Sequence, residues 1–491
     1  MTAAERPLSR GVVARYAIGS LGTGGFATLP GLVLVYYLTD TLGVSALIAG
    51  LVVTAAKVWD VVIDPWIGAR SDRVLAGRGT RRTGMLVGAL ALPVGFALTF
   101  AVPPGVSPAA SGVWVFIAFL ATATAFSLFQ VPYIALPAEL TPDYDERTRL
   151  LTWRVVVLTL AILLFGAGGP EIRRAFDDEV TGYLVMAIVA GVVIGVGMLI
   201  AAGTAKRSDA TGLRRTDELP AAGRPPAEPA ADGYREGFRA LRRSLPFRVL
   251  LTVFVLQGLA TGLMLAGAQF VATWVLESEA AVTLLFVALI APALLVAPAW
   301  GVLARRIGKE RAFRIASLVF AAATLCMVLL VWLPGSWVYL PVAVAGAAYA
   351  GMQSLPMAML PDVISHDARM TGRERAGSFG GVWTAGETAG MALGATLLTL
   401  MLAATGYLES TGAETVMQAP AAIAGIALSF SLVPALLVVA SVVVLRRYPL
   451  RRGDVNVDPP SSTEPQHEAS PYGPTAPRAP STPDTTDGST R

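Results

Sequence analysis

Residues 46–73 read ALIAGLVVTAAKVWDVVIDPWIGARSDR. Between Ala46 and Ile67 the only charges are Lys57, Asp60 and Asp64, and the run ends on Gly68 followed by Arg70, Asp72 and Arg73. A helix rises 1.5 Å per residue and a hydrocarbon core is about 30 Å thick, so about 20 apolar residues cross it. The stretch therefore reads as a membrane-spanning helix that leaves the bilayer at a basic cluster. Its three internal charges are the exception. On insertion scales an Asp or Lys at the bilayer centre costs roughly 2.5–3.5 kcal/mol, which is seldom accepted without a partner or a task.

Working outward, comparable runs recur on both sides. Tyr16 to Leu38 precedes it; Met85 to Val102, Val113 to Leu136, Leu151 to Gly168 and Tyr183 to Ala202 follow. A second set of six covers Leu250 to Leu276, Ala281 to Leu303, Phe313 to Leu333, Val338 to Leu360, Phe379 to Ala404, and Ala421 to Leu445. The expected fold is an all-α integral membrane protein of about twelve transmembrane helices. Composition agrees: 54% of residues are hydrophobic and 15% charged, against about 25% charged in soluble domains. The many glycines and prolines suit membrane helices, where neighbouring helices re-satisfy the backbone.

Residues 1–205 and 247–447 are expected to form two six-helix bundles. Between them lies a polar cytoplasmic linker, 206–246, and after them a Pro- and Ser-rich disordered tail, 448–491. A weak internal repeat supports pseudo-symmetric halves. Helix two ends in Pro65-Trp-Ile-Gly68 before Arg70 and Arg73, and helix eight in Pro298-Ala-Trp-Gly301 before Arg305 and Arg306.

Lys and Arg collect in alternate loops, at Arg10 and Arg15, Arg70 to Arg82, Arg305 to Arg311, and Arg446 to Arg452, with only Arg173 and Arg174 out of place. The positive-inside rule then puts both termini in the cytoplasm of a plasma membrane, as expected of a bacterial chain this rich in Arg and Ala. The formal charge of +4 thus reflects topology, and no nucleic-acid partner is expected. No cleaved signal peptide is read at the N-terminus. One cysteine, Cys326, and two histidines, His366 and His467, exclude an intrachain disulfide framework and a zinc cluster. With no nucleophile, base or metal arrangement in the spans, an enzyme is not expected. A membrane sensor is the alternative of another class, although linker and tail look too polar for a signalling domain.

Lys57, Asp60 and Asp64 stand at i, i+3 and i+7 and share one helical face. Two carboxylates one turn apart suit a hard monovalent cation, or one of them carries a coupling proton; a purely structural Lys57–Asp60 ion pair is the simpler reading. Glu387, in the eleventh span, is either functional or an interhelical hydrogen-bonding group. Arg70, Asp72, Arg73, Arg81 and Arg82 are expected to form a cytoplasmic gate network, or else merely mark topology.

The chain resembles the glycoside-pentoside-hexuronide:cation symporters of the major facilitator superfamily, the family of the bacterial melibiose permease. The resemblance is carried by Tyr16-Ala-Ile-Gly19, Tyr37-Leu-Thr-Asp40-Thr-Leu-Gly43, Trp59-Asp60-Val-Val-Ile-Asp64-Pro65, Val131-Pro132-Tyr133 and Asp145-Glu-Arg147. It continues through Leu360-Pro361-Asp362, Thr371-Gly372-Arg373 and Gly381-Val-Trp383-Thr384. It implies sodium- or proton-coupled symport of a small solute, by default a sugar or glycoside, through alternating access by a monomer that needs no cofactor. It further implies a cation site at Asp60 and Asp64, with Ser127 on helix four; Ile63 replaces an Asn of sodium-coupled relatives. The corresponding substrate positions are Gly24, Gln130, Tyr133, Arg154, Trp383, Glu387 and Thr388. Two carboxylates of the family's sugar carriers are missing, where this chain has Thr23-Gly24-Gly25 and Gln130. That loss leaves open an amphipathic, lysolipid-like substrate or efflux of a hydrophobic compound.

Overall fold

The computed structural model describes residues 8–141, 144–205, 242–371, 376–411 and 416–450. Among these described residues twelve helices are long and apolar enough to cross a membrane. In order they are α1 (Arg10–Thr41), α2 (Ala46–Leu75), α3 (Arg82–Thr99), α4 (Pro108–Pro137), α5 (Arg149–Arg174) and α6 (Glu179–Ala202). The second six are α7 (Leu245–Val275), α8 (Ala281–Ile307), α9 (Lys309–Val331), α10 (Ser336–Thr371), α11 (Phe379–Ala404) and α12 (Pro420–Leu445). Most of the expected linker and almost all of the expected tail lie outside the described residues. Large apolar side chains such as Leu51, Leu295 (82% exposed) and Leu340 stand on the surface, as a lipid-facing belt requires.

Several helices outrun their apolar segments. The helix of α2 continues to Arg78, where Gly79 ends it in the left-handed conformation (φ 67°), and α10 runs on to Thr371. Beyond the hydrocarbon, charged residues such as Arg70 and Arg73 are good helix formers, so hydropathy marks the membrane and not the helix end. One face, the basic face, carries Arg70, Arg73, Arg81, Arg82, Arg305, Arg306 and Lys309; the opposite one is the far face.

The two halves repeat each other in detail. α1 and α7 both finish in a single π-helical turn, Tyr37–Thr41 and Val271–Val275. Leu42 N–H donates to Tyr37 O at 3.1 Å and Val44 N–H to Leu38 O at 2.8 Å; Leu276 and Ser278 do the same to Val271 and Ala272 at 2.9 Å. Gly43 (φ 64°) and Glu277 (φ 49°) occupy matching left-handed positions.

The bundles meet toward the far face. There α2 crosses α11 with Gly50 against Thr399, α5 crosses α8 with Gly166 against Phe286, and α1 crosses α7 with Gly31 against Leu265. The Thr54 and Thr396 hydroxyls hydrogen-bond across the first crossing, and Glu409 accepts from Ala46 N–H at 2.9 Å. Within the C-terminal bundle α10 packs so closely on α8 that a Cβ on Gly346 would come 1.9 Å from the Leu289 carbonyl oxygen. Backbone cannot yield there. Gly346→Ala is expected to destabilise the protein by about 1–3 kcal/mol, read as a lower unfolding temperature in detergent. Gly77→Ala, with nothing within 4 Å of its new Cβ, is expected to leave that temperature unchanged.

Candidate functional site

Asp60 is 8% exposed. Its Oδ2 accepts from Lys57 Nζ at 3.1 Å, so the expected ion pair exists. That pair does not use the whole carboxylate: Asp60 Oδ1 is buried and accepts no hydrogen bond, and Asp64 Oδ1 is in the same position. The buried Ser127 hydroxyl of α4 stands beside Asp64. Lys57 also lies 5.8 Å above the Phe26 ring of α1. Trp59 Nε1 donates to Thr124 Oγ1 of α4 at 2.9 Å, which fixes the rotation of α2. Two buried oxygens without donors on one helix face are costly unless something positive sits against them. They are hard oxygen donors, and with the Ser127 hydroxyl they fit a small monovalent cation or a proton.

The expected substrate positions divide. Arg154 on α5 lies with its guanidinium 5.6 Å from the Tyr133 ring centre. Its Nε is buried without a partner. Gln130 accepts from Thr23 Oγ1 at 2.8 Å, linking α4 to α1. Glu387 and Thr388 are half-buried on α11. The other three positions are taken up by packing. Gly24 lies at the α1–α5 crossing, where a Cβ would meet Ala161 at 2.7 Å and the Leu158 carbonyl at 2.9 Å. Tyr133 is 0% exposed, stacked between Tyr16 and Phe129, with its hydroxyl bonded to Ser20 at 3.0 Å and donating to Tyr16 O at 2.8 Å. Trp383, 2% exposed, stacks on Phe254 at 4.3 Å. In this conformation both rings are buried inside their own bundles, Tyr133 between two rings and Trp383 against one.

The expected gate residues engage within the N-terminal bundle. Arg81 pairs with Glu139 of the helix that continues α4 and donates to Ser71 Oγ at 2.9 Å. Arg70 covers the Trp66 ring at 5.7 Å, Arg73 donates to Ala69 O at 3.3 Å, and Arg82 is exposed. The Asp72 side chain lies outside what the structure describes. The C-terminal bundle has a matching clamp, Lys309 to Asp362 at 2.6 Å.

Sequence reasoning missed the far-face cluster. Asp40, 4% exposed, accepts from Thr39 Oγ1 at 2.6 Å, from Trp274 Nε1 of α7 at 3.3 Å, and from the Tyr407 hydroxyl beyond α11. Ser410 Oγ adds a bond to Asp40 O at 3.2 Å. Asp40 and Trp274 are the fourth residues of the two π turns, so pseudo-symmetry brings them face to face. Arg173, one of the two exceptions to the charge rule, is 3% exposed. It bridges α5 to Glu279 at 2.9 Å and to the Tyr183 hydroxyl at 3.0 Å. Thr283 Oγ1 donates to Glu171 Oε1 at 2.6 Å across the same seam. The misplaced arginine was the available signal: a buried cation on the wrong face needs an anion beside it.

Tyr133→Phe removes two buried hydrogen bonds, to Ser20 and to the Tyr16 carbonyl. It is expected to cost about 1–3 kcal/mol of stability, visible as a lower unfolding temperature in detergent, while Gln130→Ala, in a half-buried pair, is expected to cost less.

The family described as MFS/sugar transport protein matches residues 15–452. The chain is 24% identical to an uncharacterized symporter of Synechocystis sp., over 89% of this chain and 93% of that one. It is 25% identical to a glucuronide carrier protein homolog of Escherichia coli, over 91% and 94%. In fold it is similar to a D-xylose-proton symporter structure, with a TM-score of 0.63 at 13% identity, covering 89% of this chain and 98% of the other. Twelve spans in two bundles, an acidic pair inside α2 and these full-length similarities converge: the chain belongs to the MFS/sugar transport protein family and is a multi-pass membrane symporter of the glycoside-pentoside-hexuronide:cation type.

Proposed function

We propose that this symporter couples the inward movement of a small organic solute to one monovalent cation, sodium or proton, held by Asp60, Asp64 and Ser127. The observation that carries the reading is the pair of buried, unbonded oxygens, Asp60 Oδ1 and Asp64 Oδ1. Lys57, Asp60 and Asp64 together sum to one net negative charge. Closing a cavity over that charge without a counterion strips its hydration, which is strongly unfavourable. One monovalent cation brings the cluster to neutrality, whereas a divalent ion would overshoot. The loaded cluster therefore closes more readily than the empty one.

Coupling follows from linkage: if cation and solute each favour the closed state, each raises the affinity of the other by the same factor. The bundles then rock about the cavity between them. On this reading the basic face is cytoplasmic, by the positive-inside rule, in a plasma membrane, and the working unit is one chain. A sugar or glycoside is the starting expectation for the solute, in keeping with the names of the E. coli relative and the xylose symporter.

The test is uptake of a methyl glucoside and a glucuronide into proteoliposomes under an imposed sodium or proton gradient. Asp64→Asn is expected to lower gradient-driven accumulation at least ten-fold while solute exchange at equal cation concentration continues. Accumulation that persists in both Asp60→Asn and Asp64→Asn would make the acidic pair structural and reject the assigned cation site.

A further inference from the structure

Pro65 and Pro298 are 233 residues apart, and so are Gly68 and Gly301. The same offset of 233 carries Arg154 of α5 onto Glu387 of α11. The contacts bear this out to within about one helical turn: Gly24 of α1 packs on Leu158 and Ala161 of α5, and Gly258, at the matching place in α7, packs on Gly390 and Met391 of α11, a few residues short of that offset. Arg154 lies twelve residues from Gly166, which packs on Phe286 of α8, and Glu387 lies twelve residues from Thr399, which packs on Gly50 of α2. At 1.5 Å per residue both charges stand about 18 Å below their inter-bundle crossings, at one depth in opposite halves. Pseudo-symmetry has thus placed a guanidinium and a carboxyl at comparable depths in the two bundles, within about one helical turn of matching positions.

Neither charge has an ion-pair partner among the described residues. Arg154 has the Tyr133 ring beside it and a buried Nε with no acceptor. Glu387 is half-buried next to Tyr349 of α10, whose hydroxyl is already engaged by Gln353 Nε2 at 2.6 Å. The contrast with the cation site is sharp. The 233-residue mates of Asp60 and Asp64 are Ala293 and Ala297, so the acidic pair belongs to one bundle, whereas Arg154 and Glu387 form a dipole that spans both.

We propose that Arg154 and Glu387 are the two poles of a site for a zwitterionic solute, an anionic group seated on Arg154 and an ammonium or quaternary ammonium group on Glu387. This rests on the symport reading above and specifies its substrate class. An open cavity lets water solvate both charges, but closure removes that water. A solute with one charge compensates one pole and strands the other; a neutral glycoside compensates neither with a counter-charge. A zwitterion satisfies both and, because the poles sit in different bundles, draws the halves together. Occupancy and closure are then the same event.

The experiment measures equilibrium binding to the full chain in proteoliposomes with probes that differ in charge alone: carnitine against its methyl ester, and phosphocholine against choline and against ethyl phosphate. At least one zwitterion is expected to bind ten-fold or more tightly than its singly charged counterparts. Arg154→Gln and Glu387→Gln are each expected to weaken it at least ten-fold, Arg154→Lys and Glu387→Asp to recover part of that loss, and the exchange Arg154→Glu with Glu387→Arg to recover more than either single reversal. Monodispersity and unfolding temperature of each variant separate misfolding from lost affinity. The proposal is overturned if no zwitterion binds, or if singly charged probes bind as well. It also fails if a neutral glycoside is accumulated under the cation gradient with unchanged affinity in Arg154→Gln and Glu387→Gln. In that last case loss of accumulation in Asp64→Asn would leave the symport reading standing.

Discussion

A carboxylate buried where water cannot reach it must find its donors in the protein, and Asp40 finds them on three separate segments. Thr39 comes from its own helix, Trp274 from α7 and Tyr407 from the segment after α11. The bond network therefore holds only while the bundles are together at the far face. Arg173 obeys the same constraint with the sign reversed, since its guanidinium is sealed against Glu279 of the other half. The closed far face rests on these two buried charges. Because the bonds to Trp274, Tyr407 and Glu279 cross between the bundles, separating them breaks several at once, which makes the seam a two-state element and not a graded one.

The charges deeper in the protein follow a different logic. At the far face Asp40 already has its hydrogen-bond donors and Arg173 its carboxylate. On α2 the balance is left incomplete, with Lys57 compensating Asp60 through one oxygen and two further oxygens unbonded. A structural ion pair alone would not need Asp64. The unfilled bonding capacity lies in the stretch that carries three charges inside one span.

Much of this was legible in the amino-acid order, for particular reasons. Span number follows from apolar length, because the bilayer sets a fixed thickness. The Lys57–Asp60 pair follows from i, i+3 spacing. The substrate positions fared unevenly because family correspondence fixes where a residue stands in the chain, not which way its helix is turned. Tyr133 is sandwiched between two rings, Trp383 is stacked on Phe254, and Gly24 is pressed on α5, owing to the rotation of α1, α4 and α11 about their axes. Trp59 bonding to Thr124 illustrates the kind of long-range contact that sets such a rotation.

By itself the sequence determined that this chain lives in a membrane, how many times it crosses, which face is basic, and that α2 carries charges needing a purpose. These properties depend on local composition and on periods of one helix, and transfer free energy reads them without any partner. Only the tertiary structure decided that Asp40 meets Trp274, that Arg173 is compensated by Glu279, and that Arg154 and Glu387 occupy comparable depths without an ion-pair partner among the described residues. Those pairings join residues more than a hundred positions apart. They arise from the way two related bundles pack about a pseudo-twofold axis, a geometry that no local pattern encodes.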